Sequence, residues 1–457
     1  MNPSMAAAHR EALMAALRDA GGGVAVLRTG AEKVRNRDAH YPFRPHSDFW
    51  YLTAFREPDA VAVLCPDRAE GEFVLFVRPR DPALETWNGR RAGVEGAKER
   101  FGADEAHAID ALDTELPKLL RGASQLWYRT GEPDAEDFDR KLLGWLNQMN
   151  MRSRDGITGP ATVSDIGTLL HELRLHKSDD EIAILRRAAA ITAEAHLAAA
   201  AALAPGVREY EIQAVIDGTF RKRGGWGPGY TSIVAAGDNA TILHYTENDQ
   251  VIAPQDCLLI DAGCEVDGYT ADVTRCYPAG GRFTKPQRAL YEVVLAAELR
   301  GIGRVHPGNT FMSVHDEALA ALIEGLLDLQ LLTGTLEENL EGEAYKKYYM
   351  HRTSHWLGLD VHDVGTYFSD GKDGAKVSRK LEPGMVLTVE PGLYVPADDE
   401  TAPEEFRGIG IRIEDDVLVT ADGHEVLTAA TPKSIADVEA ACGAAARADV
   451  PRAGARR

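Results

Sequence analysis

Residues 258–275, LLIDAGCEVDGYTADVTR, constrain the fold of this chain more than any other stretch. Two apolar, strand-like runs flank Asp267-Gly268, a dipeptide that signals a tight hairpin. Side chains alternate between the faces of a strand. Across any loop with an even number of residues, an odd position on the first strand faces an even position on the second. Asp261 and Asp272 therefore share one face, either directly opposite or one diagonal step apart, within reach of a common ion. Two carboxylates inside apolar strands repel one another, and burying them without a cation is costly. A solvated pair on the exposed face is the competing reading of the hairpin alone.

A second pair of acids sits in MVLTVEPGLYV and GIRIEDDVLVT. Glu390 ends an apolar run and is followed by Pro391-Gly392, while Glu414 lies between Ile413 and Asp415-Asp416. The connection between these runs is long, so parity does not pair them, and each alone reads as an ordinary edge-strand acid. The third element, YMHRTSHWLGLDVHDVG, places His351, His355 and His362 within twelve residues. A single histidine is more often structural than a ligand, but three beside Gly358 shift that balance. His351 and His355 stand at helical i, i+4 spacing and could bind zinc on a helix, although the acid of an HExxH motif is absent. Together the candidates are four carboxylates and one or more imidazoles, with no thiolate. Such a donor set suits Mn²⁺, Co²⁺, Fe²⁺ or Zn²⁺. Two ions balance four carboxylates better than one, and a water between them becomes a nucleophile near neutral pH.

The 457 residues suit two domains or three. Runs VAVL, AVAVLCP and EFVLFVRP alternate with helical stretches and predict an α/β domain over residues 1–173. From Ser178, a good helix N-cap, a long helix begins, and a second α/β domain is expected over 174–435 with helices over 285–330. The Ala/Arg-rich stretch 436–457 reads as a frayed tail. A formal charge of −21 disfavours nucleic acid and anionic membranes as partners. Five cysteines without a CxxC pair fit a reducing cytoplasm. The first twenty residues lack a continuous apolar core, so no signal peptide is expected, and no run is long enough to span a bilayer.

The segments IDAGCEVDGYTADVTR, SHWLGLDVHDVG, LTVEPGLY and GIGIRIEDD, in that order, resemble the Xaa-Pro aminopeptidase (aminopeptidase P) family of the wider pita-bread metallopeptidase group M24. YPFRPHSDFWYLTAF and ETWNGRR resemble the N-terminal domain of the creatinase and aminopeptidase P type, and RLHKSDDEIAILRRA resembles the start of the catalytic domain. The resemblance implies an α/β (α+β) fold, with that N-terminal domain followed by a pita-bread catalytic domain of pseudo-two-fold form. It implies a metal set of Asp261, Asp272, His355, Glu390 and Glu414 around two divalent ions, with Mn²⁺ expected and Co²⁺ or Zn²⁺ as alternatives. Asp272 and Glu414 would bridge the ions, and Glu390 would accept the proton of the attacking water. His244 and His362 would steady the scissile carbonyl and its oxyanion, and His351 would shape a proline pocket. Arg412 would orient carboxylates or substrate, with a structural ion pair as the alternative.

Trp87 alone reads as a core residue. The resemblance implies instead that it reaches a neighbouring subunit's site in a homotetramer or homodimer. The implied reaction releases the N-terminal residue from peptides with proline in second position. That bond is a tertiary amide without N–H and with a fixed proline φ, so it needs a dedicated pocket. A prolidase confined to Xaa-Pro dipeptides is the nearest alternative. A non-catalytic module on the same fold would be expected to lose ligands. Creatine hydrolysis, which needs no metal, is a more distant alternative that the full ligand set disfavours.

Overall fold

A computed structural model of the chain describes residues 1–371 and 374–443. It forms two compact units, Met1–Arg174 and Leu175–Arg457, so the division falls one residue later than the pattern predicts.

In the first unit, helix Pro3–Asp19 starts where the Asn2 side chain accepts the Met5 N–H and Pro3 occupies the first turn. A six-stranded mixed sheet follows. Its spatial order is Glu105–Ala108, Phe73–Val77, Val61–Leu64, Val24–Arg28, Leu126–Trp127 and Val163–Ser164. The three apolar runs read from the sequence form its antiparallel centre, and the outer strands join in parallel. Phe73–Val77 is buried at every position, as a strand covered on both faces must be. One face packs Val26, Val63 and Phe76 against Leu116, Leu142 and Trp145.

The second unit opens with helix Asp179–Ala202. Its start is a capping box in which Ser178 accepts the Glu181 N–H and Glu181 reaches back to the Ser178 N–H. Strands Ile233–Ala236, Cys257–Asp261 and Thr274–Pro278 form an antiparallel sheet. The hairpin tip is Cys264–Val266 against Tyr269–Thr270, with Asp267 and Gly268 at φ +51° and +90°, the signs of a type I′ turn. Helices Lys285–Ile302 and Phe311–Asp328 intervene. The later strands pair as Val386–Val389 with Asp415–Val419, and Gly392–Val395 with Ile409–Arg412.

Two expectations are corrected. The segment carrying His351 and His355 is irregular rather than helical, tied to the sheet by a bridge between Trp356 and Leu387, so helical i, i+4 spacing does not pair these histidines. The frayed tail does not begin at 436. Helix Ile435–Gly443 continues the fold there, because Val438 and Cys442, one turn apart, are buried in the main core of the unit and Ile435 packs against it. Residues 444–457 lie outside the described residues. All five cysteines are buried and unpaired.

Candidate metal centre

The hairpin holds one register throughout. Asp261 pairs with Thr274, the Ala262 N–H donates to the Val273 carbonyl at 3.1 Å, and Val266 pairs with Tyr269. Asp261 and Asp272 are therefore one diagonal step apart on the same face. At Gly263 a Cβ would lie 1.7 Å from the Ala271 carbonyl oxygen, so only glycine fits. The later ladder also keeps one register. Val389 pairs with Asp415 and Gly392 with Arg412, which sets Glu390 opposite Glu414. The Glu414 N–H donates to the Thr274 carbonyl at 3.1 Å and joins the two ladders. The histidine segment is laced to the same strands. The Glu390 N–H donates to the Thr353 carbonyl at 2.8 Å, and the His355 N–H donates to Thr388 Oγ1 at 3.1 Å.

These placements converge. Asp272, His355 and Glu414 each offer a ligand atom, and the three atoms lie within 4.8 Å of one another. His355 Nε2 is 3.4 Å from Asp272 and 3.5 Å from Glu390. Its Nδ1–H donates to the Trp356 carbonyl at 3.0 Å, which leaves Nε2 free to face the carboxylates. The Tyr230 hydroxyl lies 2.6 Å from Asp261 and 2.5 Å from Asp272. Arg412 donates to Asp261 at 2.8 Å, to the Tyr394 hydroxyl at 3.1 Å and to Thr274 Oγ1 at 3.1 Å. Thr274 Oγ1 in turn donates to Glu414 at 2.6 Å.

The carboxylates carry more negative charge than the surrounding protein neutralises. Burial, reinforced by Asp272, Glu390 and Asp261, pushes Glu414 well above the ordinary range. Burial also raises Asp272, and it lifts Glu390 to about 7 against the pull of His355 and Arg412. Burial alone would lower His355, but Asp272 and Glu390 outweigh it and raise the imidazole to about 9. A buried all-oxygen and imidazole donor set under this mutual repulsion fits divalent cations of hard or borderline character.

All five expected ligands line one cavity of about 700 Å³, together with His244, His351, His362 and Arg412. His351 donates from Nδ1 to the Arg352 carbonyl at 2.8 Å and accepts from the Tyr394 hydroxyl at Nε2, also 2.8 Å. Burial, with Arg412 nearby, lowers it to about 4, so it is neutral near pH 7. The His362 ring sits 4.3 Å from that of His355, and His244 is an exposed wall residue. Arg412 makes the ion pair and also faces the cavity, so its two readings coincide. Trp87 is not a core residue: it lies in the helix Pro82–Asn88, 84% exposed. Sequence reasoning missed Tyr230, Thr274 and Tyr394. Thr274 was accessible to it, since it lies two residues beyond Asp272 on the same face. No local pattern marks the two tyrosines.

Residues 183–421 match the model of metallopeptidase family M24, and residues 6–128 match the aminopeptidase P N-terminal domain. The chain is 44% identical to a Xaa-Pro aminopeptidase of Haemophilus influenzae, over 89% of this chain and 90% of the relative. It is 43% identical to a Xaa-Pro aminopeptidase of Escherichia coli, over 92% and 93%. A solved Pseudomonas aeruginosa aminopeptidase superposes with TM-score 0.94 at 46% identity, covering 98% of this chain and 99% of that one. A zinc-substituted E. coli aminopeptidase P bound to product superposes with TM-score 0.91 at 42% identity, covering 97% and 99%.

Proposed function

From the chain's membership of metallopeptidase family M24, as an Xaa-Pro aminopeptidase of the aminopeptidase P type, we propose how its own residues divide the work of releasing the residue in front of proline. The observation that carries this reading is the convergence of two carboxylate pairs and four histidines on one cavity. Asp261, Asp272, His355, Glu390 and Glu414 would hold two divalent ions, manganese first, with cobalt or zinc able to replace it. Ions bound there supply Lewis acidity and lower the pKa of water.

Glu390 accepts the proton of the attacking water and returns it to the proline nitrogen, which has no proton of its own and must gain one to leave. His244 and His362 donate to the carbonyl oxygen as charge develops on it. His351, held neutral between Tyr394 and the Arg352 carbonyl, forms the wall against the proline ring. Arg412 holds Asp261 and Tyr394 in place around these groups. The free amine of the substrate sits against the carboxylates, which limits release to one residue.

Trp87, exposed on the first unit, is the residue we assign to a neighbouring subunit's site in a homotetramer or homodimer. The acidic surface and the absence, among the described residues, of a helix long and apolar enough to cross a membrane support a cytoplasmic setting. Comparing hydrolysis of Xaa-Pro with Xaa-Pro-Yaa-Zaa under defined metals tests the reading. Exclusive cleavage of the dipeptide would make the chain a prolidase.

A further inference from the structure

Among the described residues two arginines line the catalytic cavity, Arg352 and Arg412. Arg412 is buried and spent on Asp261. Arg352 is exposed, and among the described residues no carboxylate lies within ion-pair distance of it. Its guanidinium carbon lies 5.8 Å from the centre of the Phe368 ring, within the range of a cation–π contact. The cavity lining thus carries Asp261, Asp272, Glu390 and Glu414 together with one guanidinium, that of Arg352, which no carboxylate engages among the described residues.

A short peptide has the complementary polarity, with an amine at one end and a carboxylate at the other. The amine belongs with the acids. The proline ring belongs against His351, whose Nδ1 is fixed by the carbonyl of Arg352 itself. Arg352 follows His351 directly in the chain and lines the same cavity. One extended residue adds roughly 3.3 Å, so a single residue after proline brings its carboxylate to the reach of an arginine fork.

We propose that Arg352 is a specificity residue that binds the C-terminal carboxylate of short substrates and directs the enzyme towards Xaa-Pro-Yaa tripeptides over amidated or longer peptides. This subsite rests on the aminopeptidase reading above. A guanidinium presents the carboxylate with a bidentate, charge-assisted contact that an amide cannot match.

The experiment compares kcat/KM for Xaa-Pro-Yaa as the free acid and as the C-terminal amide, in the metal-loaded wild type, Arg352→Gln and Arg352→Glu. The wild type should favour the free acid by roughly five- to tenfold, as expected for a partly solvated charged hydrogen bond. Arg352→Gln should bring the ratio near one, and Arg352→Glu should reverse it. A wild-type ratio of one, or a preference that survives in both variants with unchanged Tm, overturns the subsite while the peptidase assignment stands. Cleavage of neither tripeptide by the metal-loaded wild type would overturn the aminopeptidase reading itself, and the subsite with it.

Discussion

Glu390 and Glu414 stand directly opposite one another across a single antiparallel register that runs from Val389–Asp415 to Gly392–Arg412. Opposed like charges destabilise a ladder, and these two are raised above the ordinary carboxylate range by burial. A bound divalent cation removes that conflict, and its binding energy adds to folding stability. Chelation should therefore lower Tm by several degrees, and Mn²⁺ or Zn²⁺ should restore it. Glu414→Gln should reduce the response to metal while leaving the chelated protein no less stable. Thermal scans with and without chelator decide this, and a Tm indifferent to metal would count against the centre.

Glu390→Gln separates chemistry from architecture. The substitution keeps the size of the side chain and the main-chain bond to Thr353, and replaces the carboxylate, proton acceptor and expected metal ligand alike, by a neutral amide, so turnover is compared at saturating metal. Turnover should fall by roughly 10²–10⁴-fold, the usual contribution of a general base. Circular dichroism and Tm of the metal-loaded variant should match the wild type. Near-normal turnover would remove Glu390 from this role.

The two ladders show what the sequence could and could not reveal. Asp261 and Asp272 are joined by a short turn, so strand parity alone placed them on one face, and only the choice between opposite and diagonal was left to the structure. Glu390 and Glu414 belong to strands joined by a long connection. Their opposition follows from tertiary pairing that no local period encodes. The His351/His355 spacing suggested a helix because i, i+4 is a helical interval. Hydrogen bonds to Thr388 and the Trp356–Leu387 bridge instead hold that segment against a strand. Tyr230 and Tyr394 carry no marker in their own neighbourhoods. Their polar tips matter only once strands distant in sequence bring carboxylates and Arg412 beside them.

Behind Glu414, a buried ionic cluster holds its main chain. Arg275 donates to the Glu414 carbonyl at 2.6 Å and to Asp415 at 2.7 Å, and Lys433 bridges Asp415 and Glu298 at 2.6 Å each. Arg275, Asp415 and Glu298 are fully buried. Lys433→Met leaves Glu298 without its cation and Asp415 with one arginine. Breaking a buried pair from one side costs about 3 kcal/mol, which urea denaturation would resolve. Adding Glu298→Leu should recover part of that loss, because the buried carboxyl left without its lysine is gone. If the double variant is as unstable as the sum of the singles, the two residues are not coupled.

His196 supplies a further pH dependence, from a residue that is not itself a metal ligand. It is fully buried, with one ring nitrogen 3.1 Å from the Ala262 carbonyl and the other 3.3 Å from the Tyr277 hydroxyl. Burial lowers it to about 4 from an ordinary 6.5, opposed by the Ala262 carbonyl and reinforced by Arg275. The folded state thus binds fewer protons than the unfolded state between these values. Its stabilising contribution is complete above pH 6.5 and is lost as pH falls towards 4, up to about 3 kcal/mol in all. His196→Gln keeps a donor for the Ala262 carbonyl but cannot titrate. Unfolding free energies at pH 7, 6 and 5 should therefore show the wild type's advantage over this variant shrinking with each step. His315 and His351, also lowered to about 4, remain in both proteins, so their titration cancels in the difference. A gap that stays constant with pH would mean that His196 is not the buried neutral group its surroundings require.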